Sequence, residues 1–131
     1  MEAAGAVYVA RWTTFHVRQI AKSMQEAFAK DGFSFIEIIS PCPTLYQRRN
    51  KMGDGLAAMQ YYKQVSKIKH GCPTSEVGMT KAGEIIVGKF VDRDRPDYIE
   101  LMRHQMQESL GDRYVEQNYD REGEEDCGCQ G

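Results

Sequence analysis

Residues 33–39, FSFIEII, are the stretch that most restricts how this chain can fold. Seven residues bounded by Gly32 and Pro41 are too few for a stable helix. Phe35, Ile36, Ile38 and Ile39, interrupted only by Glu37, suit a central parallel strand covered on both faces. A second strand-like run, AVYVA, occupies residues 6–10. Between the two, Val17, Ile20, Ala21, Met24, Ala27 and Phe28 recur at spacings of three and four, with Arg18, Lys22, Gln25 and Glu26 on the other side. That period predicts an amphipathic helix. Thr13 or Thr14 can cap its start, and Gly32 can be the left-handed residue after its end. Strand, helix and strand in this order make a βαβ unit with a right-handed crossover.

Downstream, a basic loop (Gln47-Arg48-Arg49-Asn50-Lys51) is expected before a second predicted helix that starts near Leu56. Its buried side is read as Leu56, Met59, Tyr62, Val65 and Ile68, and it ends by Gly71. Residues 72–83 lack periodicity and form a loop. EIIVGKFV, residues 84–91, reads as a third strand with Gly88 as a bulge position. Pro96 opens a third helix whose stripe is Ile99, Met102, Met106 and Leu110, with Gly111 at its end. The expected fold class is α/β, a parallel sheet with flanking helices. Residues 1–115 are assigned to one domain and the acidic, apolar-poor residues 116–131 to a disordered tail.

The formal net charge of −2 in 131 residues argues for neither nucleic acid nor an anionic membrane surface as partner. No apolar run approaches the roughly 20 residues that span a bilayer. No basic-then-apolar leader opens the chain, so a cytoplasmic protein is expected. In that compartment the four cysteines, Cys42, Cys72, Cys127 and Cys129, are expected as thiols rather than as a disulfide framework.

Open parallel sheets gather functional groups just beyond the carboxyl ends of their strands. Ser40-Pro41-Cys42-Pro43-Thr44 falls at such a place. A cysteine there can be a small buried hydrophobe. Two flanking prolines, however, fix the backbone and remove two N–H donors, which is costly for packing alone. A rigid thiol at a sheet mouth suits a metal ligand or a nucleophile. His16, His70 and His104 are all distant in sequence, so the ligand reading is preferred. Gly53-Asp54-Gly55 is the first half of the metal-binding motif of thiamine diphosphate enzymes, but it follows a basic stretch and no asparagine lies near Thr80. It is read as a helix start with Asp54 at the N-terminus. Arg48, Arg49 and Lys51 can grip a phosphate or carboxylate, or simply be solvated. Trp12 is read as a packing residue and His16 as a surface residue. Cys127 and Cys129 make at most a weak metal site.

Taken together, GAVYVAR (5–11), GFSFIE (32–37), SPCPT (40–44), RRNK (48–51) and GKFVDRDRPDY (88–98) resemble the β subunit of 2-oxoacid:ferredoxin oxidoreductases, in its 2-oxoglutarate synthase branch. The resemblance implies the C-terminal half of a thiamine diphosphate-binding α/β domain, paired with an α (or α/γ) subunit. The complete enzyme would use thiamine diphosphate, Mg²⁺ and a 4Fe–4S cluster to decarboxylate a 2-oxoacid oxidatively, passing electrons to ferredoxin and the acyl group to coenzyme A. Cys42 matches the last of the four cluster cysteines of that family, and such clusters are held by thiolates. The other three belong to an N-terminal region, as does the family's true metal-binding motif, and neither occurs in these 131 residues. The isolated chain is therefore expected to be inactive and to present an open apolar edge. Two alternatives stand beside this reading: a non-catalytic binding or assembly module on the same fold, and a small thiol or metal protein.

Overall fold

A computed structural model describes residues 1–78 and 83–115. They fall into two compact units, Met1–Asp97 and a second that begins at Tyr98. The expected tail, with Cys127 and Cys129, lies outside the described residues.

The first unit contains β1 (Tyr8–Thr13), α1 (Val17–Phe28), β2 (Ser34–Ile39), α2 (Gly55–Val65), β3 (Ser66–Ile68) and β4 (Ile85–Asp92). The strands form one sheet in the order β2-β1-β4-β3. β1 and β2 pair in parallel from Tyr8↔Ser34 to Thr13↔Ile39, so the predicted βαβ unit is present. The sheet as a whole is mixed, because β4 runs antiparallel to β1. An antiparallel strand on a parallel unit is a common arrangement. β2, expected to be central, is an edge strand among the described residues; β1 and β4 hold the middle.

The core explains this order. Tyr8, Ala10 and Trp12 alternate onto one face of β1, where they meet Tyr62, Ile85 and Val87, with Ile20, Ala27 and Val65 packed around them. Both α1 and α2 therefore contribute to one face of the sheet. The opposite face carries a smaller cluster of Ala6, Val9 and Val91 against Phe35 and Phe90. There Arg11 bridges Glu37 of β2 and the carbonyl of Val77.

α1 sits differently from its sequence stripe. Ile20 and Ala27 face the core, with Ser23 buried between them, whereas Val17 is 66% and Phe28 90% exposed. Ser23 owes its place to Trp12, whose indole N–H donates to its Oγ at 2.8 Å. A buried indole needs such an acceptor, which an alanine side chain lacks and a methionine sulfur supplies only weakly. The helix starts two or three residues later than a threonine cap would place it, with His16 as the capping residue. Thr13 is still strand, paired with Ile39. Gly32 has a positive φ, but three residues beyond the helix cap at Ala29. With Phe28 and the half-exposed Phe33 beside it, the β2 edge is an apolar border of the sheet.

α2 is shorter than its pattern. It ends at Val65 because residues 66–68 leave the helix to pair in parallel with β4, Ser66↔Ile85 to Ile68↔Val87. Ile68 consequently lies in a strand; Leu56, in the first turn of α2, is exposed, and Tyr62 alone of the predicted stripe is buried. The bulge in β4 is at Phe90, the residue skipped between Val9↔Val91 and Ala10↔Lys89, and not at Gly88. The second unit contains α3 (Tyr98–Leu110) and a turn of 3₁₀ helix, Gly111–Arg113. Ile99, Met102, Met106 and Leu110 line one surface of it with Tyr114 and Val115, as the stripe predicted.

His16 is buried, contrary to its surface reading. Its Nδ1 lies 2.9 Å from Thr13 Oγ1 and its ring packs against Trp12 and Phe15. Burial holds its pKa below the ordinary histidine value. Between the folded and unfolded values the unfolded chain binds the extra proton, so stability falls as pH drops. The melting temperature is expected to decline from about pH 6.5 downward, the ordinary histidine value, and His16→Gln should flatten that part of a pH-melting curve. An unchanged slope in the variant would contradict the assignment.

Candidate functional site

β2 ends at Ile39, and Ser40-Pro41 leads out over the carboxyl rim of the β1–β2 pair. Thr14 N–H donates to Ile39 O, so the two strand ends are held together there. Pro43–Gln47 then forms a single π-helical turn with Cys42 as its cap. The turn closes through Gln47 N–H to Cys42 O at 3.1 Å, five residues apart. Proline at its first position loses no needed donor, since its N–H would be unpaired there in any case. π-turns are rare and occur often at functional sites.

The thiol of Cys42 is exposed. The backbone N–H groups of Tyr46 and Leu45 and the Thr44 side chain lower its pKa from the ordinary thiol value. All of these favour the thiolate, which is the form that binds metals. The chain continues helically into Arg48, and Arg48, Arg49 and Lys51 stand exposed in solvent. Their predicted loop is thus partly helix, and the solvated reading fits their positions.

Asp54 caps α2, its Oδ1 accepting the Ala57 N–H at 2.9 Å. With that carboxylate engaged and a helical turn rather than a strand before it, Gly53-Asp54-Gly55 does not fit a thiamine diphosphate metal site. Its structural reading is the right one.

α2 and the Cys42 turn enclose an open cavity of about 580 Å³, lined by Cys42, Tyr46, Gln47, Met52, Tyr61 and Tyr62 among others. Sequence reasoning missed Gln47, Met52 and the tyrosine pair as site residues. The one available signal was the position of Gln47, five residues after the cysteine, which a π-turn brings back to Cys42.

None of the three histidines lines this cavity. His16 is packed under Trp12, His70 accepts from Lys89 N–H on the β4 side, and His104 lies on α3 beside Glu108. Cys72 is a free, half-buried thiol in the loop after Gly71 and does not line the cavity either. Among the described residues, no three His, Cys, Asp or Glu side chains are grouped to hold a metal ion. The described residues therefore do not assemble a complete metal-ligand set by themselves. No described helix is long and apolar enough to cross a membrane.

No family model matches the chain. Curated proteins do. The chain is 40% identical over 109 residues to the 2-oxoglutarate synthase subunit KorB of Methanothermobacter thermautotrophicus, a match covering 83% of this chain and 38% of that protein. Against KorB of Archaeoglobus fulgidus the identity is 50% over 101 residues, covering 77% and 35%. KorB of Methanocaldococcus jannaschii is 38% identical over 109 residues, covering 82% and 39%. Over most of its length the chain is similar to KorB proteins. It spans less than two-fifths of the length of these KorB proteins. Among solved structures, a 2-oxoglutarate:ferredoxin oxidoreductase from Magnetococcus marinus, with 2-oxoglutarate, coenzyme A and succinyl-CoA bound, superposes with a TM-score of 0.55. At 19% identity, over 90% of this chain and 39% of that one, the likeness supports the α/β fold.

Proposed function

We propose that the chain is the C-terminal part, residues 1–115 with a tail at 116–131, of a KorB-type β subunit. The complete enzyme would be a 2-oxoglutarate:ferredoxin oxidoreductase that converts 2-oxoglutarate and coenzyme A to succinyl-CoA and CO₂ while reducing ferredoxin, in the cytoplasm. The observation that carries this reading is Cys42. In a chain similar to KorB, an exposed thiol with its thiolate favoured by surrounding donors follows a strand end and caps a proline-flanked turn.

Cys42 would be one of four thiolate ligands to a 4Fe–4S cluster, which supplies one-electron transfer to ferredoxin when bound. Pro41, Pro43 and the π-turn hold the ligand's backbone, and the Leu45 and Tyr46 N–H groups moderate the negative charge on sulfur. Thiamine diphosphate and Mg²⁺ would be held by the rest of the subunit, since Asp54 is committed to capping α2. The exposed edge of β2 and the outward side chains of α1 suit burial by that remainder, with an α subunit completing the enzyme.

The test material is a chimera in which the matching 101 residues of A. fulgidus KorB are replaced by those of this chain and assembled with the cognate subunits. The purified complex should contain iron and acid-labile sulfide and show a 4Fe–4S electron paramagnetic resonance signal on reduction. A folded complex without that signal contradicts the proposal. The second reading, a non-catalytic assembly module, is favoured only by the incomplete ligand set among the described residues.

A further inference from the structure

Between Ile38 and Ser75 the chain holds six cations, Arg48, Arg49, Lys51, Lys63, Lys67 and Lys69, and a single carboxylate, Asp54. That carboxylate is engaged in capping α2. The net charge of the whole chain is nonetheless −2, so the rest of it is net negative. Elsewhere in the first unit Arg11, Lys22, Lys30, Lys89 and Arg93 each face a carboxylate. Arg48, Arg49 and Lys51 are exposed, and none has an ion-pair partner among the described residues. Lys51 stands in the left-handed region, with φ 53°. Its N–H donates to Arg48 O at 3.4 Å and Met52 N–H to Gln47 O at 3.0 Å, the bonding of a Schellman helix end. Glycine is the usual residue at that left-handed position, because a Cβ is unfavourable there. A lysine is thus held against its backbone preference, and such positions collect at functional sites. Beside the three cations, Leu45, Tyr46 and Met52 are exposed.

We propose that the turn spanning residues 45–52 docks the acidic face of a separate protein. Arg48 and Arg49 are consecutive helical residues, so their side chains diverge by about 100° around the helix axis. Lys51 follows on the bend. The three charges therefore spread over a surface instead of converging on one phosphate, and a row of carboxylates matches that spread. Tyrosine, methionine and arginine are the side chains enriched at protein interfaces, and Tyr46, Met52 and the two arginines bring them together here. A net-negative chain with a local group of cations suits nucleic acid or an anionic membrane poorly. It does orient an acidic protein: the turn attracts that partner's face while the rest of the chain repels it. None of this depends on what Cys42 binds.

The test measures binding of labelled poly-L-glutamate, standing in for an acidic protein face, to the full chain at low ionic strength. Arg48→Ala, Arg49→Ala and Lys51→Gly together should weaken binding by about 10-fold or more. The control combines Arg18→Ala, Arg95→Ala and Arg103→Ala, which removes the same charge from exposed sites elsewhere. It should leave binding within about twofold. Lys51→Gly alone should weaken binding yet raise the melting temperature, because it relieves the left-handed backbone. Equal weakening in the two triple variants, or unaltered binding in the first, overturns the proposal. Tighter binding of duplex DNA or of phosphatidylserine vesicles than of poly-L-glutamate overturns it as well. A lower melting temperature in Lys51→Gly would mean that the lysine serves the helix end, and overturns its assignment to the surface. Should the first triple variant not fold, Arg48→Ala with Arg49→Ala takes its place under the same criteria.

Discussion

Replacing Cys42 by serine in the KorB chimera is expected to remove the reduced-cluster resonance signal or convert it to that of a smaller cluster. Viologen reduction driven by 2-oxoglutarate should fall by about 100-fold or more, beyond the range for residues that only orient a ligand. The fold should be unaffected, because the Cys42 side chain is exposed and belongs to neither apolar cluster. Serine offers oxygen in place of the soft thiolate that iron–sulfur clusters require. Cys72→Ser, in the loop away from the cavity, should leave signal and rate as they were. An unchanged signal in Cys42→Ser would remove the ligand assignment, and loss in both variants would point to a general loss of assembly.

The second large effect is on stability. Gly88 has φ +143°, and an ideal Cβ built on it lies 2.9 Å from Lys69 O and 3.1 Å from Lys69 C. The obstacle is backbone, held in place by Lys69 N–H to Val87 O and Gly71 N–H to Lys89 O on either side of the glycine. Neither the torsion nor the contact can relax without separating β3 from β4. Gly88→Ala should lower unfolding free energy by about 2–4 kcal/mol, and Gly88→Val by more. Gly55→Ala is the matched control, since its Cβ would meet nothing within 4 Å at the first position of α2. Urea unfolding of the chain should show an early midpoint for Gly88→Ala and none for Gly55→Ala. Coincident curves would mean that this strand pair is not as closely packed as described.

Gly88 also shows how far the sequence could be read. Glycine within EIIVGKFV marks an irregular strand, and residues 85–92 are indeed β4, but the cause was not legible. The glycine answers to Lys69, nineteen residues away, whereas the bulge falls at Phe90. Local period gave the βαβ unit because β1, α1 and β2 are neighbours in the chain and their pairing follows from their order. It could not place β4, since either orientation beside β1 buries the same apolar side chains. It also misjudged α1, because one hydrogen bond from Trp12 to Ser23 turned a polar residue inward and left Val17 and Phe28 outside. Helix period counts apolar residues and is blind to the partner that a buried indole demands.

The site was legible in part for the same reason. Cys42 between two prolines is a local feature, and it stands exposed at the end of β2 as the spacing required. The rest of its surroundings comes from α2 and from the way Gln47 returns to both Cys42 and Asp54, contacts that depend on a π-turn no propensity encodes. The alternative use of Gly53-Asp54-Gly55 was separable by context alone: a carboxylate three residues before a free helix N–H caps the helix.

As proposed, this chain is a portion of a larger redox subunit and carries one ligand of its cluster. The most direct measurement is viologen reduction with 2-oxoglutarate, coenzyme A, thiamine diphosphate and Mg²⁺, run in parallel on the chain alone and on the assembled KorB chimera. The predicted result is activity in the chimera and none in the isolated chain. A folded chimera that holds its cofactors yet reduces nothing, or an isolated chain that turns over, would contradict it.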